Sequence, residues 1–143
     1  MKINFTKKQY EQLLDIVYLG EWVANSIRVG DERLKEYNEI FQYVGSFAKE
    51  FNQEDKVEYL RKYDEYHPTD EYAEKLYPIV EDYDDFVFWQ ELADRLAEKD
   101  IKQSGETFET HEDYMKRYFQ LQTEYEEELA ENGMKNLVVR ENE

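Results

Sequence analysis

Apolar residues in the first third of the chain recur every three or four positions, which is the period of an α-helix. One such stripe begins at Leu13 and reaches Ile27, and a second begins at Leu34 and reaches Phe51. Each stripe is wide enough to bury one face of a helix against a neighbour. The pattern predicts two long helices, the first over about residues 7–29 and the second capped by Asp31, packed as an antiparallel hairpin.

The first predicted helix has recognisable signals at both ends. Thr6 and Gln9 have the spacing of a capping box, in which each side chain bonds the backbone N–H of the other residue. Phe5 and Tyr10 flank this box at the positions of a hydrophobic staple. Gly30 is the residue type that commonly follows the last turn of a helix, so we expect the helix to end there.

The rest of the chain is divided by two prolines and one polar loop. Pro68 should end a helix because the residue before a proline avoids the α region. Pro78 predicts a break or a kink because it removes a helical hydrogen bond. Thr110 is the predicted cap of the last helix, and Asn132-Gly133 is its predicted end. The predicted helices here are about 54–65, 70–77, 79 or 85 to 99, and 110–131, with a loop at 102–110. The buried stripe of the helix that ends at about residue 99 is predicted to be Phe86, Trp89, Leu92, Ala93 and Leu96.

Two short β-like stretches lie near the ends of the chain, at residues 2–5 and 136–139. One interpretation pairs them as a small ribbon resting on the helices, because a two-stranded ribbon is only marginally stable alone. The other treats Leu137-Val138-Val139 as a mobile tail that docks on another chain. The pattern leaves both interpretations open.

Composition agrees with a helical fold. The chain has only five glycines and two prolines, few for the turns of an all-β protein, and its apolar content of 41% is too high for a disordered acidic segment. Its 143 residues suit one domain. The sequence therefore predicts one acidic, mostly all-α domain over residues 1–143, a bundle of about five or six helices with the terminal ribbon as an optional addition.

Several classes of protein and site are disfavoured by the residues that are missing. Without cysteine the chain has no disulfide, no cysteine-ligated zinc and no thiol nucleophile. No stretch of about eighteen apolar residues is present, and the first residues do not form a signal peptide, so we expect a cytoplasmic protein. Three serines and two histidines without a nucleophile-elbow or phosphate-loop motif favour no catalytic residue.

The negative charge is concentrated in the second half of the sequence. The net charge is −17, and residues 64–131 hold twenty-two acids and six bases, whereas residues 1–63 hold eleven acids and ten bases. Phosphate backbones and anionic lipids would repel such a surface. We therefore expect no direct binding of nucleic acid or membrane.

Tyrosines are interspersed among these acids, and the combination suggests a binding surface. Rigid aromatic rings beside carboxylates suit Arg-rich partners through cation–π contacts and ion pairs. Our favoured hypothesis is a non-enzymatic protein that binds a basic protein partner, as inhibitors, immunity proteins and DNA mimics do. The candidate contact residues are Tyr66, Asp70, Glu74, Glu81, Asp82, Asp84, Asp85, Glu127 and Glu128.

One enzymatic alternative rests on a pair of acidic motifs. Asp70-Glu71-x-x-Glu74 is followed, after sixteen residues, by Glu91-x-x-Asp94. This arrangement resembles the all-α nucleoside triphosphate pyrophosphohydrolases, in which carboxylates from two neighbouring helices hold Mg²⁺ against the phosphates of a nucleotide. The resemblance implies a metal site at Glu71, Glu74, Glu91 and Asp94. Mg²⁺ is the cofactor under this alternative alone, and the favoured hypothesis needs none.

A third alternative is a structural role as a homo-oligomer. Helix 2 or the tail at Leu137–Val139 would then form the interface between two copies of the chain.

Overall fold

The computed structural model describes residues 3–138. It contains four α-helices and one β-hairpin, so the protein is mostly helical, as predicted, but with fewer helices than the predicted five or six. In chain order the elements are α1 (Lys7–Asn25), a 3₁₀ turn (Gly30–Glu32), α2 (Lys35–Gly45), β1 (Val57–Leu60), β2 (Glu65–Pro68), α3 (Asp70–Ser104) and α4 (His111–Asn132). None of the helices in the described part is both long and apolar enough to cross a membrane.

Contacts within the chain divide it into two compact units, Met1–Glu81 and Asp82–Glu143. The first unit holds α1, α2, the hairpin and the first part of α3, and the second holds the rest of α3 and α4. Each unit is described by itself below. The single domain over residues 1–143 stays a prediction.

The start of α1 is the predicted capping box. The Gln9 backbone N–H donates to Thr6 Oγ1 at 3.2 Å, and the Thr6 N–H donates to Gln9 Oε1 at 2.9 Å. These bonds satisfy two backbone donors that a helix start otherwise leaves open. The predicted capping box is confirmed. Its two residues are only three positions apart, so their contact does not depend on the rest of the fold.

The end of α1 lies earlier than predicted, at Asn25 instead of near Gly30. Asn25 is 2% exposed, and its side chain bonds the residue that precedes α2. Its amide donates to Leu34 O at 3.1 Å, and its carbonyl accepts from Leu34 N at 2.8 Å. Asn25 thus ties the two helices together. Asp31, the predicted cap of helix 2, lies instead in the 3₁₀ turn, and Leu34 occupies the cap position without a side-chain bond.

The second helix is shorter than its apolar stripe suggested, because α2 stops at Gly45. A Cβ built on Gly45 would lie 3.3 Å from both Tyr66 Cβ and Val57 Cγ1, so the hairpin packs directly on this glycine. Beyond it the chain continues in tight turns, with Ala48 N–H donating to Gly45 O at 3.0 Å. Ala48 remains buried, so these turns extend the stripe where the helix does not.

Residues 57–68 form an antiparallel hairpin where the sequence pattern predicted a helix over 54–65. Tyr59 pairs with Tyr66 across the strands, and their rings lie 5.0 Å apart. Asp64 adopts φ 58° in the turn, a conformation that Asp tolerates better than most residues. Gln42 of α2 donates to Tyr66 O at 2.9 Å and accepts from Tyr66 N at 2.6 Å, which holds β2 against the helix.

The predicted terminal ribbon is wrong for the residues that the structure describes. Residues 3–5 and 136–138 form no strand, and the only sheet among residues 3–138 is the internal hairpin. Lys2 and Val139, which belonged to the predicted ribbon, lie outside the described residues. The hairpin strands are joined by only four residues, whereas a ribbon of the two termini would close a loop of almost the whole chain. The longer loop costs more conformational entropy to close.

Of the break or kink predicted at Pro78, the break is wrong, because α3 runs through the proline from Asp70 to Ser104. Proline removes one helical hydrogen bond, but Pro78 is exposed, so water can solvate the freed carbonyl. On the opposite side Tyr72, Leu76 and Val80 are buried. Their burial holds the helix together on both sides of the proline.

The core of the first unit is rich in aromatic residues. Tyr10 stacks on Phe51 with ring centroids 4.2 Å apart, and its hydroxyl donates to Val44 O at 2.7 Å. Tyr72 donates to Asp15 Oδ1 at 2.8 Å. The buried cluster consists of Tyr10, Leu14, Phe41, Val44, Ala48, Val57, Tyr72 and Leu76.

Replacing Asn25 should destabilise the first unit. Asn25→Ala leaves the partly buried N–H and C=O of Leu34 without their partners, which we expect to lower the free energy of unfolding by about 1–2 kcal/mol. Chemical denaturation monitored by circular dichroism measures this change. The control Gln12→Ala alters an exposed side chain on α1 and should change stability by less than about 0.5 kcal/mol. Equal effects of the two variants would contradict the role assigned to Asn25.

Replacing Pro78 should stabilise the protein. Pro78→Ala restores one helical hydrogen bond at an exposed position, so we expect the free energy of unfolding to rise by about 1–3 kcal/mol. Denaturant titration with Tyr77→Ala, an exposed neighbour on α3, as the control measures the difference. A loss of stability in Pro78→Ala would show that the proline conformation is needed.

Candidate functional site

The most distinctive surface of the second unit is a cleft between α3 and α4, here called the acidic cleft. Asp82, Asp85, Phe86 and Trp89 follow the i, i+3, i+4, i+7 spacing that places side chains on one face of a helix. The cleft has a volume of about 700 Å³, and its lining residues are Asp82, Asp85, Phe86, Trp89, Gln90, Glu126, Leu129, Ala130 and Gly133.

The two helices that form the cleft are held by a core nearer the other end of the unit. Ala97 and Ile101 of α3 and Leu121 of α4 are buried, and Tyr114, Tyr118 and other rings pack around them. Ala97 has no exposed surface, which indicates close approach of a neighbouring element at that point. The helices are therefore fixed where small and aliphatic residues meet.

Hydrogen bonds to carboxylates complete this core. The Tyr125 hydroxyl donates to Asp100, and Arg117 donates to Glu106 at 3.3 Å. The hydrogen bond to Asp100 and burial raise the pKa of Tyr125 to about 12. Burial, together with the neighbouring Asp94 carboxylate, raises the pKa of Tyr118 to about 12. Both tyrosines are therefore neutral hydrogen-bond donors over the whole physiological range of pH.

The aromatic residues of the acidic cleft are accessible to a partner. Phe86 is 59% exposed and Trp89 is half-buried, although both were predicted to belong to a buried stripe. The Trp89 Nε1–H donates to Asp85 Oδ1 at 3.0 Å, and the Phe88 ring meets the indole edge-on with centroids 5.0 Å apart. These contacts fix the orientation of the indole.

The carboxylates of the acidic cleft have no basic neighbour in the described part of the chain. Bases elsewhere on α3 pair locally, Arg95 with Glu91 at 3.3 Å and Lys102 with Glu98 at 2.9 Å. Across residues 3–138 no lysine or arginine lies within 4.0 Å of Asp82, Asp85 or Glu126. Their charge is thus left to solvent or to a partner.

The candidate contact residues named from the sequence fall in both units. Asp82 and Asp85 line the acidic cleft. Asp84, Glu127 and Glu128 belong to the same unit without lining it, and Glu128 accepts a hydrogen bond from Asn132 at 3.0 Å. The remaining candidates, Tyr66, Asp70, Glu74 and Glu81, belong to the first unit.

Tyr66 has a clear structural role. Its backbone is bonded on both sides by Gln42, and its ring packs against the core of the first unit. A partly buried ring in this position has less surface to offer a partner than the sequence suggested.

The four carboxylates of the enzymatic alternative do not form a metal site among the described residues. Glu71, Glu74, Glu91 and Asp94 all lie on α3, whereas the resemblance required two neighbouring helices. No group of three or more His, Asp or Glu side chains that could hold a metal ion occurs in residues 3–138. The reason is that α3 continues through Pro78, so the two motifs never fall on separate helices.

Sequence reasoning missed Phe86, Trp89 and Glu126 as residues of the site. Phe86 and Trp89 have helical spacing with Leu92 and Leu96, and this spacing favours a buried stripe. Asp82 and Asp85 occur one turn before them on the same face, which is the signal that could have identified an amphipathic, exposed surface.

Comparison with known proteins found no match: no family model matches the sequence, and no curated protein or solved structure is significantly similar to it. The function is therefore argued from the residues and the fold.

The raised tyrosine pKa values predict a loss of stability in alkali. A tyrosine whose pKa is about 12 in the folded state and about 10 when unfolded stabilises the fold fully below pH 10. This contribution is lost as the pH rises from about 10 to 12, because only the unfolded state ionises readily there. Melting temperatures over this range, with tyrosinate absorbance recorded in parallel, measure the effect.

The variant Tyr125→Phe removes one of these ionising hydroxyls and should flatten the alkaline decline in melting temperature. Phe119→Leu, a change on the same helix that removes no hydroxyl, should leave the decline as it is. An unchanged decline in Tyr125→Phe would contradict the assignment.

Proposed function

We propose that this protein is a non-enzymatic interaction protein that binds a basic segment of another protein in the acidic cleft. The observation that carries the proposal is a single cleft in which two accessible aromatic rings lie beside three carboxylates that have no basic neighbour among residues 3–138. Each feature alone is common on protein surfaces. Their combination suits a chain that offers both positive charge and apolar side chains.

The aromatic rings supply the first part of the recognition. A lysine or arginine placed over the face of Trp89 or Phe86 would gain about 0.5–2 kcal/mol from the cation–π interaction, depending on how far it is desolvated. The hydrogen bond to Asp85 holds the indole in place, so less rotamer freedom is lost on binding. Ala130, on the α4 side, is exposed and can contact the apolar side chains of the same partner.

The carboxylates supply the second part. Asp82, Asp85 and Glu126 lie beside the rings, and the unit that contains them has eighteen acids and seven bases in its sequence. An exposed ion pair contributes only about 0.2–1 kcal/mol. The wider negative field therefore matters more for the rate of encounter than for the final affinity.

These magnitudes favour a partner segment with several contacts over a single buried cation. Three ion pairs and one or two cation–π contacts amount to only a few kcal/mol, before the entropy lost on association is subtracted. A basic amphipathic helix is the occupant that combines these contacts in a groove between two helices. Its lysines and arginines would face the rim, and its apolar face would cover Phe86 and Ala130.

The direct test is titration with a synthetic amphipathic peptide that carries arginines on one face and leucines on the other. In a Trp22→Phe background Trp89 is the sole tryptophan, so its fluorescence reports occupation of the acidic cleft. We expect binding that weakens by roughly tenfold or more between low and near-physiological salt, because exposed charges are screened over about 8–10 Å there. A peptide with glutamates in place of the arginines is the control, and binding that does not change with salt would contradict the proposal.

Matched variants on α3 separate the cleft from general acidity. Asp85→Asn and Asp84→Asn remove the same charge from adjacent positions of α3, but only Asp85 lines the cleft. We expect Asp85→Asn to weaken binding of the peptide by about twofold to fivefold and Asp84→Asn to have a clearly smaller effect. Phe86→Ala should likewise weaken binding more than Tyr83→Ala, which truncates an exposed ring outside the cleft. Equal effects within each pair would reduce the interaction to nonspecific attraction.

A further inference from the structure

The helical pair of the first unit carries an apolar surface that nothing in the described chain covers. On α1, Ile16 is 67% exposed and Val23 is 61% exposed, and both lie on the same face as Gly20. On α2, Tyr37 and Ile40 are exposed beside them. Single exposed aliphatic side chains are common on protein surfaces, whereas a contiguous group of them is a feature of interaction sites.

These residues border one furrow between α1 and α2. Two adjoining depressions, of about 560 and 380 Å³, share Gly20 and Tyr37 as lining residues. A Cβ built on Gly20 would meet no atom within 4 Å, so the glycine leaves open space in the middle of the furrow. Glycine is disfavoured within a helix, and no contact in the described chain requires it at this position.

We propose that a second copy of this chain docks in this furrow through the same face of α1 and α2. This inference is independent of the function proposed for the acidic cleft. Exposed ridges beside a furrow are self-complementary, since Ile16 and Val23 of one copy can enter the furrow of the other around a two-fold axis. Gly20, at the centre, lets the two α1 helices approach closely there.

The charge distribution supports a second copy as the occupant. Residues 1–63, which contain both helices, carry eleven acids and ten bases, whereas residues 64–131 carry an excess of sixteen acids. Two copies of a chain with net charge −17 repel each other. The repulsion is weakest when they meet through the nearly neutral face of each copy. A strongly basic partner would find little to attract it on this face.

The charges at the rim of the furrow also suit a two-fold arrangement. Arg28 lines one half of the furrow, and Glu36 lines the other. Glu36 has no basic side chain within 4.0 Å in the part of the chain that the structure describes. A two-fold rotation that exchanges the two halves brings Arg28 of each copy toward the carboxylate half of the other.

The size of the face determines how tightly two copies can bind. From Ile16 to Ala24 the furrow extends along α1 for roughly 12 Å at a rise of 1.5 Å per residue. Two short helices give an interface at the small end of the specific range, typical of weak dimers. We therefore expect a dimer that dissociates on dilution, with a dissociation constant in the micromolar range.

Sedimentation velocity of the full chain over about 1–500 µM tests this proposal, with the upper limit set well above the expected dissociation constant. We expect a concentration-dependent shift from monomer to dimer that becomes stronger in high salt, because salt screens the repulsion between copies. Binding at the acidic cleft weakens with salt, so the two proposals fail in distinguishable ways. A monomer at every concentration in both low and high salt would overturn the dimer.

Charged variants locate the interface. Ile16→Glu and Val23→Glu each place a carboxylate in the furrow and should raise the dissociation constant at least tenfold. Ile79→Glu adds the same charge to an exposed position on α3 and should change it less than threefold. All three sites are more than half exposed, so circular dichroism should show unchanged folds. Equal dissociation constants for the three variants would overturn the assignment to this face.

A cross-linking measurement gives a second, independent readout. The chain contains no cysteine, so Gly20→Cys introduces a unique thiol at the centre of the proposed interface. We expect a short bismaleimide to link two Gly20→Cys copies far faster than two Ile79→Cys copies at the same concentration. Equal rates, or faster linkage through residue 79, would overturn the proposal.

Discussion

The fold depends on tyrosine hydroxyl groups that find acceptors as their rings enter the core. The chain has thirteen tyrosines, and aliphatic residues alone do not fill either core. A buried ring contributes apolar area, but its hydroxyl must be hydrogen-bonded or the burial is costly. Tyr10 meets this need with the Val44 carbonyl, Tyr72 with Asp15 and Tyr125 with Asp100. Two of these three acceptors are carboxylates, so the acidity of the chain contributes to its core as well as to its surface.

This use of carboxylates divides the acids into groups with different roles. Asp15 and Asp100 accept tyrosine hydrogen bonds, while Glu91 and Glu98 pair with bases one helical turn away. The acids of the acidic cleft belong to neither group, apart from the bond between Asp85 and the Trp89 indole. Acids that already serve the fold are poor candidates for binding. The acidic cleft differs from these groups because its carboxylates have no basic partner among the described residues and lie beside accessible aromatic rings.

The two proposed surfaces depend on opposite electrostatic conditions. A basic partner is attracted by the excess of acids in the second unit, whereas a second copy of the chain is repelled by the same excess and can approach only a nearly neutral face. The sequence places these conditions in different segments, with residues 1–63 close to neutrality. One acidic protein can therefore contain both an electrostatic and an apolar binding surface, and their responses to salt have opposite signs.

The sequence by itself determined those features that depend on neighbours a few residues apart. The caps at Thr6 and Thr110 and the end of α4 at Gly133 were predictable, because a side chain and a backbone N–H three residues away meet in almost any fold. The helical class also followed from the three-and-four spacing of apolar residues. The acidic character of the candidate site, through Asp82 and Asp85, was readable in the same way.

Tertiary structure decided the features in which local preference was ambiguous. Residues 57–68 suit a strand or a helix, and packing on Gly45 with the bonds from Gln42 selects the strand. The spacing of Phe86 is the same whether its face is covered or open, and only the tertiary structure shows that it lines an open cleft. Distant contacts of this kind cannot be read from local pattern, because their free energy exists only once separate segments of the chain have met.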